Sequence, residues 1–230
     1  MTSVPYTIRR SPRARHARIN VDAEGVEVVV PERFPLRRVE PFVREKGPWI
    51  ERTLRRLRES EAELPPARLE DCGDVPYLGE RLELWVDVEF DRQRPHVKRR
   101  VDVLHVRLGR RGRKAVRDAL ERWYRREARE EVAWRLDDAV ARAGRDYTSL
   151  QIRGQRTRWA SCSTSGSMSF NWRLLLAPPQ ILDYVVEHEV AHLDVQDHSR
   201  RFWSLLEERC PDWREHERWL RRHGHLLRLG

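Results

Sequence analysis

The sequence predicts an α+β protein with a β-rich N-terminal half and a helix-rich C-terminal half. Three observations carry that expectation. Apolar and polar residues alternate through residues 17–22, 25–30 and 82–88, which is the period of half-buried strands. Apolar residues recur every three or four positions through 36–64 and again through 113–143, which is the period of helices. The last part reads as strand, strand, helix, helix. The texture changes near residue 110 with no flexible linker. We therefore divide the chain into a β-rich region 1–110 with a helical insertion and an α-rich module 111–230.

The elements follow in order. The first two strands flank an Ala23-Glu24-Gly25 turn, and Pro31 and Pro35 close the hairpin. Val39, Phe42, Val43, Trp49, Ile50, Leu54 and Leu57 then keep helical spacing, interrupted at Gly47-Pro48. That predicts two helices or one kinked helix, ending before Pro65-Pro66. Residues 71–90 return to β character, and a third β stretch at 101–108 ends at Gly109-Arg110-Arg111-Gly112. A long helix follows from about Arg113 to Ala143, stopped by Gly144. Residues 149–153 are extended. Residues 167–174 alternate after a Thr164-Ser165-Gly166 turn. Pro178-Pro179 opens a helix running to about Gln196, and a final helix starts after Ser199 as N-cap. Trp123, Trp134, Trp203 and Trp219 sit at helical spacing with apolar neighbours, so they are expected in the core.

Composition removes several classes. No window reaches the ~18 consecutive apolar residues of a membrane span. The basic N-terminus has no apolar stretch followed by a cleavage site, so export is not expected. Cys72, Cys162 and Cys210 are odd in number and far apart, which fits a reducing cytoplasm better than a disulfide framework. Without a Cys-x-x-Cys pair there is no thiolate zinc knuckle. Net charge is +9 and almost all cations are arginine, lysine occurring only at Lys46, Lys98 and Lys114. From Arg92 to Arg117, eleven cationic residues face one acid, Asp102. That stretch is either a site of weak nucleic-acid contact or a solvated hairpin surface.

The residues that carry chemistry are His188-Glu189-Val190-Ala191-His192. Positions four apart on a helix lie ~40° apart around the axis and one turn along it, so both imidazoles can reach one ion. Glu189 follows the first ligand, where it can approach a metal-bound water as general base without taking a coordination site. Val185, Val186, Val190, Ala191 and Leu193 mark the helix as buried. His198 lies beyond the expected helix end. Asp197 tolerates a left-handed backbone and Ser199 caps the next helix, so the chain can turn His198 back as a third ligand. Three protein ligands with one open position suit a catalytic Zn2+. The bland alternative makes His188 and His192 polar members of an amphipathic helix. The other six histidines have no such spacing.

Around this motif stand Arg158-Trp159-Ala160-Ser161-Cys162-Ser163, Phe170-Asn171-Trp172-Arg173-Leu174, Ala177-Pro178-Pro179, Asp183-Tyr184 before the histidines, and His198-Ser199, Phe202-Trp203 and Pro211-Asp212 after them. In order and spacing over residues 150–222 this resembles the YgjP-like zinc metallopeptidases, relatives of the SprT-like proteases. The likeness extends more loosely to the N-terminal hairpin, Trp49-Ile50 and Pro76-Tyr77-Leu78-Gly79. The chain departs from the family pattern at Ala160 for Gly, Val190 for Leu and Asp197 for Asn; Ala160 requires that the backbone there not need a positive φ. The resemblance implies a C-terminal zincin-like module, His188, His192 and His198 as zinc ligands, and Glu189 as catalytic residue.

The expected reaction is peptide-bond hydrolysis, with a peptide or unfolded protein as substrate. Hydrolysis of a non-peptide bond, as in a nucleoside triphosphate, is the alternative, along with proteolysis of DNA-bound proteins as the SprT-like relatives suggest. The strand through 167–174 is expected at a sheet edge. It would turn Met168, Phe170, Trp172 and Leu174 inward and offer Ser169, Asn171 and Arg173 to an extended substrate. Cys162 is expected as a structural thiol. Arg158 and Arg173 are expected to pair with Glu187 or Asp183, or to grip substrate.

Overall fold

A computed structural model describes residues 4–22, 25–155 and 157–229, and the chain divides by its packing into two compact units, Met1–Pro65 and Pro66–Gly230. The described residues of the first unit form a three-stranded sheet covered by one α-helix. Strand β2 (Arg18–Asp22) runs antiparallel to β3 (Gly25–Val30), the expected hairpin, although Ala23 and Glu24 of its turn lie outside the described residues. Strand β1 (Thr7–Arg10), not anticipated, pairs parallel to the other side of β3. Helix α1 (Val39–Glu63) is a single helix with Pro48 inside it. Pro48 and the preceding residues 44–46 face solvent, so the carbonyl that loses its partner to proline is solvated. Val39, Val43 and Ile50 of α1 pack on Val26, Val28 and Val30 of β3.

The described residues of the second unit form two sheets and four α-helices. Strands β4 (Asp74–Tyr77), β5 (Glu80–Val88), β6 (His96–Arg100) and β7 (Val103–Leu108) form a sheet of order β4-β5-β7-β6. Strands β5 and β7 are parallel and the outer pairs antiparallel. The texture change near residue 110 falls within this unit, where β7 leads into α2 (Arg113–Ala143) and packs on it. Gly144, at φ 61°, ends α2 in the left-handed conformation a side chain would resist.

Helix α2 buries different sides along its length. At ~100° per residue, the buried positions Ala115, Val116, Ala119, Leu120 and Trp123 lie roughly opposite Val132, Leu136, Ala139 and Val140. Trp134 is in phase with Trp123, so it emerges where the buried side has switched. It is 67% exposed, which corrects its assignment to the core. Trp123 is buried as expected and sits in an aromatic cluster with Tyr77, Tyr124 and Trp172.

The second sheet has order β8-β10-β9, from β8 (Ser149–Arg153), β9 (Ala160–Cys162) and β10 (Ser167–Asn171). Gly166, at φ 76°, makes the turn between β9 and β10. Strand β10 stops at Asn171, and Trp172–Leu176 form a 3-10 turn before α3 (Pro179–Ala191). Helix α3 ends five residues earlier than expected, with His192 as its C-cap. The single final helix is in fact two, α4 (Arg200–Arg209) and α5 (Trp213–His223), because Pro211 cannot continue α4. Among the described residues no helix is long and apolar enough to cross a membrane.

Candidate active site

His188 and Glu189 lie on the last turn of α3, His192 caps it, and His198 stands two residues before α4. One nitrogen from each of the three imidazoles lies within 4.8 Å of the others. The chain turns between His192 and α4 without the left-handed residue expected at Asp197. The Asp197 carboxylate instead accepts from the backbone N–H of Ser199 at 3.1 Å, and hydrogen bonds from Ser199 hold its carboxyl below the usual range. Ser199 is the N-cap residue of α4 as expected, although its side chain makes no capping bond. Asp194 fixes the same turn from outside, accepting from Arg145 after α2 and from Arg209 of α4 at 2.7 Å each.

Phe202 of α4 forms the wall on which the three imidazoles pack, with ring centroids 4.9, 4.6 and 4.7 Å from those of His188, His192 and His198. Trp203 packs against His198 and stacks on Trp213 of α5. Phe202 and Trp203 stand in the sequence as part of the motif pattern with no role assigned, and the turn after His192 brings α4 round to make them the surround of the histidines.

The donor set suits a divalent metal ion. The Nδ1 of His192 lies 3.0 Å from the carbonyl of Val195, which fixes that nitrogen as the donor and leaves Nε2 with a free lone pair. The Nε2 atoms of His188 and His198 approach to 3.1 Å, closer than two lone pairs tolerate unless a proton or a cation lies between them. The Nδ1 of His188 and Oε2 of Glu189 are buried without a hydrogen-bond partner. Burial and the neighbouring His192 and His198 push His188 down to about 3. Burial likewise lowers His192, against the pull of the Val195 carbonyl. Neutral imidazoles with convergent lone pairs are the form a borderline-soft ion such as zinc requires.

Glu189 is 5% exposed. Burial pushes its carboxyl up from 4.5 to about 8, with the backbone N–H of Cys162 pulling the other way. A carboxyl protonated more readily when folded than when unfolded contributes stability below its unfolded value. That contribution is lost as pH rises through the folded one. Metal-stripped protein should therefore lose stability from pH 4.5 to about 8 through this group. Glu189→Gln, stripped of metal, should melt higher than wild type by a margin that is larger at pH 9 than at pH 5. An equal margin at both, in melts with chelator present, would show that the carboxyl is not held protonated.

The expected substrate contacts are placed differently. Strand β10 is the middle of its sheet, parallel to β8 and antiparallel to β9, and so has no free edge. Ser169 is buried with its Oγ 2.9 Å from Ser161 Oγ. Asn171 is buried too, donating to the carbonyls of Gln155 and Arg158 and accepting from the N–H of Arg173. Arg173 lies over the ring of Trp172 at 4.6 Å. The edge beside Glu189 belongs to β9, which packs on α3. Ala160 in β9 is not among the positive-φ residues, so its side chain is accommodated without strain. The acids on α3 are paired from α2: Asp183 with Arg135, and Glu187 with Arg142. Burial pushes the Cys162 thiol up to about 11, with Glu189 adding to it, so it is inert at neutral pH.

A family model described as YgjP-like, metallopeptidase domain, matches residues 15–223. The chain belongs to this family. As a YgjP-like metallopeptidase it extends over both units, since the match begins in the N-terminal sheet and ends with α5. Among solved structures it is similar to the metallopeptidase zymogen of Pyrococcus abyssi abylysin, at 25% identity and a TM-score of 0.36, covering 39% of this chain and 92% of that one. It is also similar to the metallopeptidase zymogen of Methanocaldococcus jannaschii jannalysin, at 15% identity and a TM-score of 0.32, covering 36% and 90%. No curated protein matches the chain.

Proposed function

We propose that this metallopeptidase is a zinc enzyme in which His188, His192 and His198 hold the ion, Glu189 is the general base, and an extended or unfolded peptide is the substrate. What carries the reading is the convergence of three imidazole nitrogens within 4.8 Å of one another beside a buried, partnerless carboxylate oxygen. Zinc bound there supplies Lewis acidity, which polarises a carbonyl and lowers the pKa of water toward ~7. Glu189 takes up the proton that hydrolysis releases and returns it to the leaving amine; its raised carboxyl suits a group that must both accept and donate near neutrality. Tyr184, Phe202 and Trp203 around the imidazoles form an apolar surround, which suits a peptide chain better than a polyphosphate. Three unpaired cysteines agree with a reducing cytoplasm as its place of action.

The substrate strand is better sought at β9. The N–H of Asn171 donates to the carbonyl of Trp159, the N–H of Ser163 donates to that of Ser167, and Ser161 is opposite Ser169. Antiparallel pairing alternates inward and outward groups, so Trp159, Ser161 and Ser163 turn theirs toward β10. Ala160 and Cys162 then turn theirs outward; the Cys162 N–H meets the Glu189 carboxyl, so pairing with an extended peptide as one more strand falls to Ala160. Ala160→Pro removes one outward N–H and no bond to β10. Each backbone hydrogen bond contributes ~0.5–1.5 kcal/mol net, so KM for an unfolded polypeptide should rise roughly 2- to 12-fold with metal retained. An unchanged KM would dismiss β9 as the substrate strand. The zinc peptidase reading itself is tested by cleavage of unfolded casein with zinc supplied, chelated and restored. Cleavage indifferent to chelation would refute it.

A further inference from the structure

The four-stranded sheet carries a basic strip on its outer face. Register sets His96 opposite Arg107 and Lys98 opposite His105, with Arg100 two places further along β6. The alternate residues Val97, Leu104 and Val106 are buried. The five basic residues therefore share one face, and they line a single cavity of 280 Å³. Along a strand, same-face side chains are ~6.7 Å apart, and adjacent strands lie ~4.8 Å apart. The first spacing is close to that of successive phosphates in an extended nucleic-acid strand.

Elsewhere in the cationic stretch three residues are held in ion pairs. Arg92 pairs with Glu89, Arg99 with Glu80 and Lys114 with Asp118. Arg107 lies 3.8 Å from Glu89, the longest of these contacts, and among the described residues Lys98 and Arg100 make no ion pair. On the neighbouring strand Trp85 is in register with His105. Its ring is 48% exposed and meets the His105 ring edge-on at 5.0 Å, while its indole N–H donates to Glu83. Glu83 and Asp87 flank Trp85 on the same face of β5, so the charge changes sign there and the basic strip is two strands wide.

We propose that this strip binds single-stranded nucleic acid, with phosphates along β6 and β7 and a base stacked on Trp85. A strip of that width takes one phosphate chain. The second chain of a duplex laid across the sheet would meet Glu83 and Asp87 and be repelled. Stacking on an exposed aromatic beside a cationic track is how sequence-tolerant single-strand binding works. The sheet packs on α2, which in turn packs on α3, so the strip faces away from the metal-site helix. The proposal stands independently of the zinc reading.

The test is fluorescence anisotropy of the full chain with a labelled oligothymidylate of roughly 15 nucleotides, a length one such groove spans. Three to five phosphate contacts at about −0.7 each predict a slope of about −2 to −3.5 in log affinity against log salt. The double variant Lys98→Glu/Arg107→Glu should bind at least ~10-fold more weakly with a shallower slope. Trp85→Ala should bind at least ~5-fold more weakly with the slope unchanged. Arg52→Glu, an exposed position on α1, should bind as wild type. An unchanged far-UV circular dichroism spectrum and a cooperative melt show that each variant is folded. If the charge variant misfolds, the wild-type salt slope and Trp85→Ala decide the matter. No binding at about 50 mM salt, where phosphate contacts are strong, would overturn the proposal. So would duplex bound as tightly as single strand, or wild-type affinity in Trp85→Ala.

Discussion

Replacing Glu189 by Gln should cut the rate of peptide hydrolysis by at least ~10²-fold while metal and fold are retained. The amide has nearly the shape of the carboxylate, so the buried end of α3 keeps its packing against β9 and α4. It can no longer take up a proton. Glutamine also removes an ionisable group that burial has already pushed to about 8, so destabilisation cannot explain the lost rate. The measurement pairs kcat on an unfolded polypeptide with metal content per chain and a melting curve. A variant that retains zinc and full activity would mean the proton goes elsewhere.

The second large effect is expected at His192. His192→Ala should lower zinc content from one per chain to a small fraction and abolish cleavage together with it. Loss of an outer partner of a metal ligand already costs ~10–100-fold in affinity, and on the proposed assignment a ligand itself is removed here. The ring is oriented by the Val195 carbonyl and stacked on Phe202 at 4.6 Å, so no other side chain stands ready to replace it. His216→Ala is the control. That imidazole packs against Tyr184, 6.0 Å between centroids, outside the three nitrogens that converge. It should keep its zinc. Unchanged zinc in His192→Ala would sink the ligand assignment.

Much of the molecule was legible because it is written locally. Arg113 and Ala143 bound α2 where the Gly-rich turn and Gly144 place them. Pro178-Pro179 marks the start of α3. The spacing of His188 and His192 brings them together through helix geometry alone. His198 was a harder inference, since it required a turn, and the turn forms by a different device from the one expected, the Asp197 carboxylate holding the N–H of Ser199.

What the sequence determined by itself is the chemistry available: three imidazoles and a carboxylate at a helix end, and a β stretch dense in arginine. Each is set by neighbours within about two helical turns, over which backbone geometry is nearly fixed. Tertiary structure alone decided what surrounds them. The alternation through residues 167–171 shows which side chains share a face, but every residue carries the same backbone N–H and C=O, so it does not show that β8 and β9 take both edges of β10. Nor could it show that Asp183 and Glu187 are held by Arg135 and Arg142, which lie 48 and 45 residues away. The rotation of the buried side along α2 carried Trp134 into solvent, and the pairing of β6 with β7 set His96, Lys98, Arg100, His105 and Arg107 on one face. Pairing, burial and ion-pair choice depend on partners far along the chain, and only the folded chain brings those partners within reach.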